Sequence, residues 1–146
     1  MHNYKHSQLG TSLVVLLTIP MVIVFFFSSE EPTVKITIYC TMSFLILNFF
    51  RLKTVINNEY ITITFGLGLI RKKIKLESIS SVEILKTSIF CGWGIRIMND
   101  GTLYNVSGRD AVKIKFKDGT AVAIGTNDVK NLMNSINEKR KNNKKH

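Results

Sequence analysis

The residues with the most capacity for chemistry in this chain are cationic. Arg71-Lys72-Lys73-Ile74-Lys75 follows directly on the turn Gly66-Leu67-Gly68. If the run is a strand, Arg71, Lys73 and Lys75 share one face, and Lys72 falls on the other among Ile70, Ile74 and Leu76. Three fixed cations on one face suit anionic lipid headgroups, worth about 1 kcal/mol per basic residue held near the surface. The plainer reading is a solvated strand face that discourages edge pairing. Lys113, Lys115 and Lys117 form a second stripe, and Lys139, Arg140, Lys141, Lys144 and Lys145 a basic tail. Close to an anionic membrane such a tail adheres over about a Debye length; otherwise it is solvated and disordered. Aromatic residues are not interleaved with the lysines and no nucleic-acid motif accompanies them, so a nucleic-acid partner is not expected.

Two aromatic residues join the candidate contacts. Trp93 lies between Gly92 and Gly94, which would let a backbone approach a ligand closely; equally, the glycines permit a bulge under a packed ring. Tyr104, beside Asn105, reads as a strand residue first and a rim contact second. The candidate lipid or partner contacts are thus Arg71, Lys73, Lys75, Trp93 and Tyr104. No catalytic constellation accompanies them. His2, His6 and His146 lie at the chain ends, no spacing suits a metal, and Gly66-Leu67-Gly68 lacks the lysine and helix of a phosphate loop. Without a nucleophile and base pair the chain reads as a non-enzyme needing no cofactor.

The elements that must position these residues fall into two unlike halves. Of 146 residues, 45% are hydrophobic, yet the formal net charge is +10. Residues 1–50 carry two basic and two acidic side chains, so the whole excess lies beyond them. That length accommodates one modest domain and a hydrophobic module, and excludes a two-lobed enzyme.

Ser7 to Ser29 contains no ionisable side chain and as a helix would reach about 34 Å, close to the hydrocarbon thickness of a bilayer. Pro20 is tolerable there. A secretory signal peptide is the competing reading, weakened by the absence of a small-x-small cleavage site and by the second apolar stretch that follows. That stretch, Ile36 to Phe50, covers only about 22 Å. Adding Val34 and Leu52, with Lys35 and Arg51 snorkelling to the interfaces, makes it adequate; the alternative is a buried helix or strand of the next domain. The expected arrangement is a transmembrane hairpin within residues 1–50, with spans at about 9–28 and 34–52. Lys5 before the first span and Arg51 and Lys53 after the second put both termini in the cytoplasm. Cys40 then lies in a span and Cys91 in the cytosol, so neither a disulfide nor glycosylation at Asn105-Val106-Ser107 is expected.

Beyond Arg51 the hydrophobic period becomes two. Ile61, Ile63 and Phe65 alternate with Tyr60, Thr62 and Thr64, and Val112, Ile114 and Phe116 with lysines. Turns at Asn57-Asn58, Gly66-Leu67-Gly68, Asn99-Asp100-Gly101, Ser107-Gly108 and Asp118-Gly119 divide about seven strands. Then Val129, Leu132, Met133 and Ile136 form one helical stripe, with Thr126 or Asn127 as N-cap, predicting a helix over about 127–140.

The succession Cys91-Gly92-Trp93-Gly94-Ile95-Arg96, Leu103-Tyr104-Asn105-Val106-Ser107-Gly108, Ala111 to Gly119 and Ile124-Gly125-Thr126-Asn127 resembles the bacterial pleckstrin-homology-like (PH-like) domain membrane proteins. The likeness covers about residues 51–138. It implies a mainly-β PH-like domain, a partly open seven-stranded barrel capped by a C-terminal α-helix; the basic run at 139–146 is expected, from its own charges, to follow as a disordered tail. The likeness further implies a multi-pass protein of the bacterial cell membrane whose PH-like domain binds or assembles with other molecules. The expected function is a non-catalytic, membrane-anchored module that engages a protein partner. The alternatives are an anionic-lipid sensor using Arg71, Lys73 and Lys75, and a structural homo-oligomer.

Overall fold

A computed structural model describes residues 4–27, 31–88 and 94–143. The first described element is a strand, β1 (Tyr4–Leu9), followed by two helices, α1 (Thr11–Phe27) and α2 (Pro32–Phe49). Pro32 occupies the first turn of α2, where its missing N–H has no partner to lose. The two helices pack on each other. Each is apolar around its circumference and buries little: Leu13 is the buried residue of α1 and Asn48 that of α2. Val15, Ile19, Ile23, Ile36 and Phe44 are all at least half exposed. One of the two, Pro32–Phe49, is long and apolar enough to cross a membrane, while α1 is a shorter apolar helix of 17 residues.

Both expected span boundaries differ from the observed helix ends. Leu9 closes β1 and Leu52 lies in β2 (Arg51–Ile56), because Arg-Leu-Lys-Thr-Val-Ile alternates and its Leu52, Thr54 and Ile56 are drawn into the β core. A strand begins as soon as a buried face is available, and the charge of Arg51 falls on the exposed side.

From β2 the chain continues through β3 (Tyr60–Phe65), β4 (Arg71–Lys75), a 3-10 turn at Leu76–Ser78, β5 (Ile79–Lys86), β6 (Gly94–Met98), β7 (Gly101–Asn105), β8 (Asp110–Phe116), β9 (Ala121–Gly125) and α3 (Val129–Asn143). Among the described residues there are nine strands in two sheets, not seven in one partly open barrel. The first sheet has the order β1-β2-β3-β4 and is antiparallel throughout; the second has the order β5-β8-β9-β7-β6. Within the second, β7 and β9 pair in parallel, Thr102 opposite Val122, and the other ladders are antiparallel. No barrel closes among the described residues.

The first strand accounts for one of the two additional strands and for the earlier start of the β-region. β1 pairs with β2 over six residues, from Tyr4 opposite Ile56 to Leu9 opposite Arg51. The helical hairpin is therefore an insertion between adjacent strands of one sheet, and the β-region starts at Tyr4, outside the expected 51–138. Tyr-Lys-His-Ser-Gln-Leu escapes recognition as a strand because its inward positions are polar: Gln8, 8% exposed, donates to the Ser107 carbonyl (2.6 Å) and accepts from the Asn127 amide (3.1 Å). Tyr4 donates to Asp128 (3.1 Å), and His6 meets the Asn127 side chain at 2.7 Å. Burial and the Asp128 carboxylate both raise the Tyr4 phenol well above its ordinary range, which keeps it a donor.

The inner faces of the two sheets and α3 enclose one core. Ile61, Ile63, Phe65 and Ile74 from the first sheet meet Val112, Ile114, Val122 and Ile124 from the second, and Leu132 and Ile136 close it from α3. The helix starts at Val129. Asp128, rather than Thr126 or Asn127, supplies the carbonyl for the first helical bond, from Leu132 (3.1 Å), while the Thr126 hydroxyl accepts from the Asp128 amide (3.0 Å).

Candidate functional site

Among the described residues the strand β4 has one neighbour, β3, which leaves its other edge unpaired. By parity with Ile74, Lys72 belongs on the inner face, where its cross-strand partner is the fully buried Ile63. Lys72 is nevertheless exposed. The inner face is uncovered at this point, and the two sheets part into a cleft of 730 Å³. Lys72, Lys73 and Lys75 line one wall with Glu77 and Ser78; Lys117, Asp118 and Thr120, in the β8–β9 turn, line the other, and Ile74, Phe116 and Val122 contribute apolar surface.

The cleft thus carries four lysines against two carboxylates. Glu77 approaches Lys75 at 3.6 Å with both side chains largely exposed, a weakly held pair in water. Asp118 is turned to its own loop: its Oδ1 accepts from the Thr120 amide (2.9 Å) and hydroxyl (2.7 Å), and these bonds hold its carboxyl below the usual range. A carboxylate engaged this way fixes the turn that presents Lys117. The other two lysines of that stripe are paired, Lys113 with Asp100 at 2.6 Å and Lys115 with Glu83 at 3.0 Å. The expected outward stripe is consequently divided, and its last member faces the cleft.

Of the five candidate contacts, Lys73 and Lys75 line the cleft. Arg71 stands at the opposite end of β4, beside the turn that adjoins α2, and does not line it. Tyr104 packs against the core, its ring 6.0 Å from that of Phe65, and burial raises its phenol pKa. Trp93 lies outside the described residues, as does Cys91. Lys72 and Lys117 were the residues that sequence reasoning did not select. The available signal for Lys72 was a lysine at an inward parity position between Ile70 and Ile74; for Lys117 there was none, since its approach to β4 is set by how the sheets meet.

Asn105 is 2% exposed, its Oδ1 accepting from the Ser107 amide (3.2 Å) and its Nδ2 donating to the Gly108 carbonyl (3.2 Å). The sequon asparagine is a buried turn-former in the folded chain. Among the described residues, no group of three His, Cys, Asp or Glu side chains is placed to hold a metal ion.

An open cleft lined by lysines above an apolar floor can hold an acidic, partly apolar segment by charge and shape. No protein-family model matches the chain, and no curated protein matches it in sequence.

Proposed function

We propose that this protein is a membrane-anchored, non-catalytic binding module: α1 and α2 cross the bilayer as a hairpin, and the two-sheet domain stands on the cytoplasmic face with both termini. Its lysine cleft takes an acidic segment of a protein partner. The observation that carries the reading is the β1–β2 ladder, Tyr4 to Leu9 against Ile56 to Arg51. It makes the strands before and after the hairpin neighbours, so a spanning hairpin must leave and re-enter the domain on one side of the membrane. The PH-like assignment rests on the same footing, supported by two sheets closed by a C-terminal helix against β5 and β8.

Full-length protein is expected in the membrane fraction after alkaline extraction, and a chain lacking residues 11–49 in the supernatant. A soluble full-length protein overturns the anchor. For the cleft, the probe is an oligoglutamate peptide titrated onto full-length protein in detergent. Lys72→Glu/Lys73→Glu/Lys117→Glu should bind at least roughly tenfold more weakly, since three exposed charges at about 0.5 kcal/mol each amount to that factor. Unchanged affinity removes the cleft as the site. If anionic vesicles bind residues of the cleft and the peptide does not, the lipid-sensor reading replaces the protein-partner one.

A further inference from the structure

The β3–β4 turn carries a feature that the cleft leaves unused. Phe65 and Ile70 close it through the Phe65 amide and the Ile70 carbonyl (3.0 Å), and the Gly68 amide bonds back to Phe65 (2.7 Å). Between them Leu67 is 67% and Leu69 70% exposed. Both flanking glycines have positive φ, +42° at Gly66 and +98° at Gly68, which turns the two leucines outward on a fixed loop. Ile70 returns to the core.

The turn is held against the helices and not merely near them. The Gly66 amide donates to the Arg51 carbonyl (2.7 Å), and a side chain at Gly66 would collide with the backbone of Leu47 and Asn48 in the last turn of α2. Leu67 therefore lies at the level of Leu47, inside the apolar length of the helix suited to span a membrane. It joins Leu9, Val14, Val15, Ile46 and Phe50 around an apolar groove of 520 Å³. No charged residue lies between Lys53 and Arg71 except Glu59, which sits at the far end of the hairpin. Immediately after the apolar tip come Arg71, Lys72 and Lys73.

The geometry points to the Leu67-Gly68-Leu69 tip as a third membrane-inserting element, a wedge seated in the acyl boundary of the bilayer leaflet beside α1 and α2, with Arg71 at the level of its anionic headgroups. This rests on the membrane-anchored reading above. The occupant of the groove is lipid acyl chain, because the groove is continuous with the apolar surface of the hairpin and is followed by cations at the height where headgroup phosphates begin. The wedge fixes more than position. A hairpin alone leaves the domain free to tilt about the line joining its two connections, whereas a third contact off that line sets one inclination and directs the cleft along β4 away from the bilayer.

The test is depth-dependent quenching of tryptophan by lipids brominated on the acyl chain, using full-length protein in vesicles of phosphatidylcholine with phosphatidylglycerol. Leu67→Trp and Leu69→Trp are each made with Trp93→Phe, alongside Phe44→Trp in α2 and Glu77→Trp at the cleft. Should Trp93→Phe impair folding, the same variants are measured with Trp93 retained and its own quenching subtracted. The expected result is loss of roughly half the fluorescence at positions 67 and 69, as for residues about 5–10 Å into the interface, comparable to Phe44→Trp and with little loss at Glu77→Trp. Omitting phosphatidylglycerol should lessen quenching at 67 and 69 and leave Phe44→Trp unchanged; equal quenching in both lipids overturns the headgroup contact. Quenching at 44 without quenching at 67 and 69 overturns the wedge and leaves the anchor standing. Absence of quenching at 44 overturns both, and equal quenching at 77 and 67 shows general adsorption and overturns the wedge.

Discussion

Lys113 and Asp100 illustrate how a lysine that looks surplus in the sequence is assigned work by its neighbours. Asp100 occupies the β6–β7 turn, and its carbonyl accepts from the Ala121 amide at 2.6 Å, while its carboxylate receives Lys113. The hydrogen bond from Lys113 holds the Asp100 carboxyl below its usual value. A carboxylate lowered in the folded state adds stability above its unfolded value, near pH 3.9, and that contribution is lost as the pH falls through the lower folded value. Lys113→Met should therefore return the Asp100 titration midpoint towards the ordinary carboxylate range and flatten this part of the acid limb of stability. Carboxyl NMR titration reads the midpoint directly; an unchanged midpoint means that Lys113 is not the cause. The sequence displayed Lys113, Lys115 and Lys117 as equivalent by spacing. Their difference comes from Glu83 in β5 and Asp100 in the β6–β7 turn, and so is not legible along the chain.

At the scale of elements, the decisive object is β1. The helices were visible because a long uncharged apolar run has few other solutions, and β3, β8 and α3 because their buried faces repeat at periods two and 3.6. β1 had no such pattern: the groups it buries are Gln8 and parts of Tyr4 and His6, satisfied by partners about 120 residues away. Its pairing makes a specific prediction. Joining Gly10 directly to Phe50 through a two-residue Asn-Gly turn should give a soluble, folded domain, because the Gly10 amide already bonds the Phe50 carbonyl (2.7 Å) across an antiparallel pair. A chain starting at Arg51 lacks β1, uncovers the edge of β2 and leaves the Asn127 amide without Gln8. It should melt well below the turn-linked chain, or aggregate through the open edge. Thermal circular dichroism with size-exclusion chromatography compares the two; equal melting temperatures and monomeric behaviour would show that β1 contributes nothing.

For the whole molecule, the β1–β2 ladder puts both ends of the hairpin on one side of the proposed membrane, and the charge asymmetry alone argues which side that is under the proposed orientation. The basic excess lies entirely beyond residue 50, and the ladder between β1 and β2 keeps Tyr4 and Ile56 together. In a background with Cys40 and Cys91 replaced by serine, Glu31→Cys should react with a membrane-impermeant maleimide on intact cells. Asn143→Cys should react only after permeabilisation. The opposite pattern inverts the proposed orientation, and labelling of both on intact cells removes the cytoplasmic placement of the domain.

The separation of a neutral apolar half from a basic β-rich half, the terminal helix stripe and the basic strand faces are all written along the chain. These are local properties: a helix or strand with one apolar surface announces its period within a dozen residues. Packing in three dimensions makes the hairpin interrupt a sheet, brings Lys72 and Lys117 to one opening while Lys113 and Lys115 are paired, and sets Leu67 beside Leu47. Each of those is a juxtaposition of segments remote in sequence. It is fixed by strand register and by how two sheets share one core, and neither quantity is written in the spacing of any single segment.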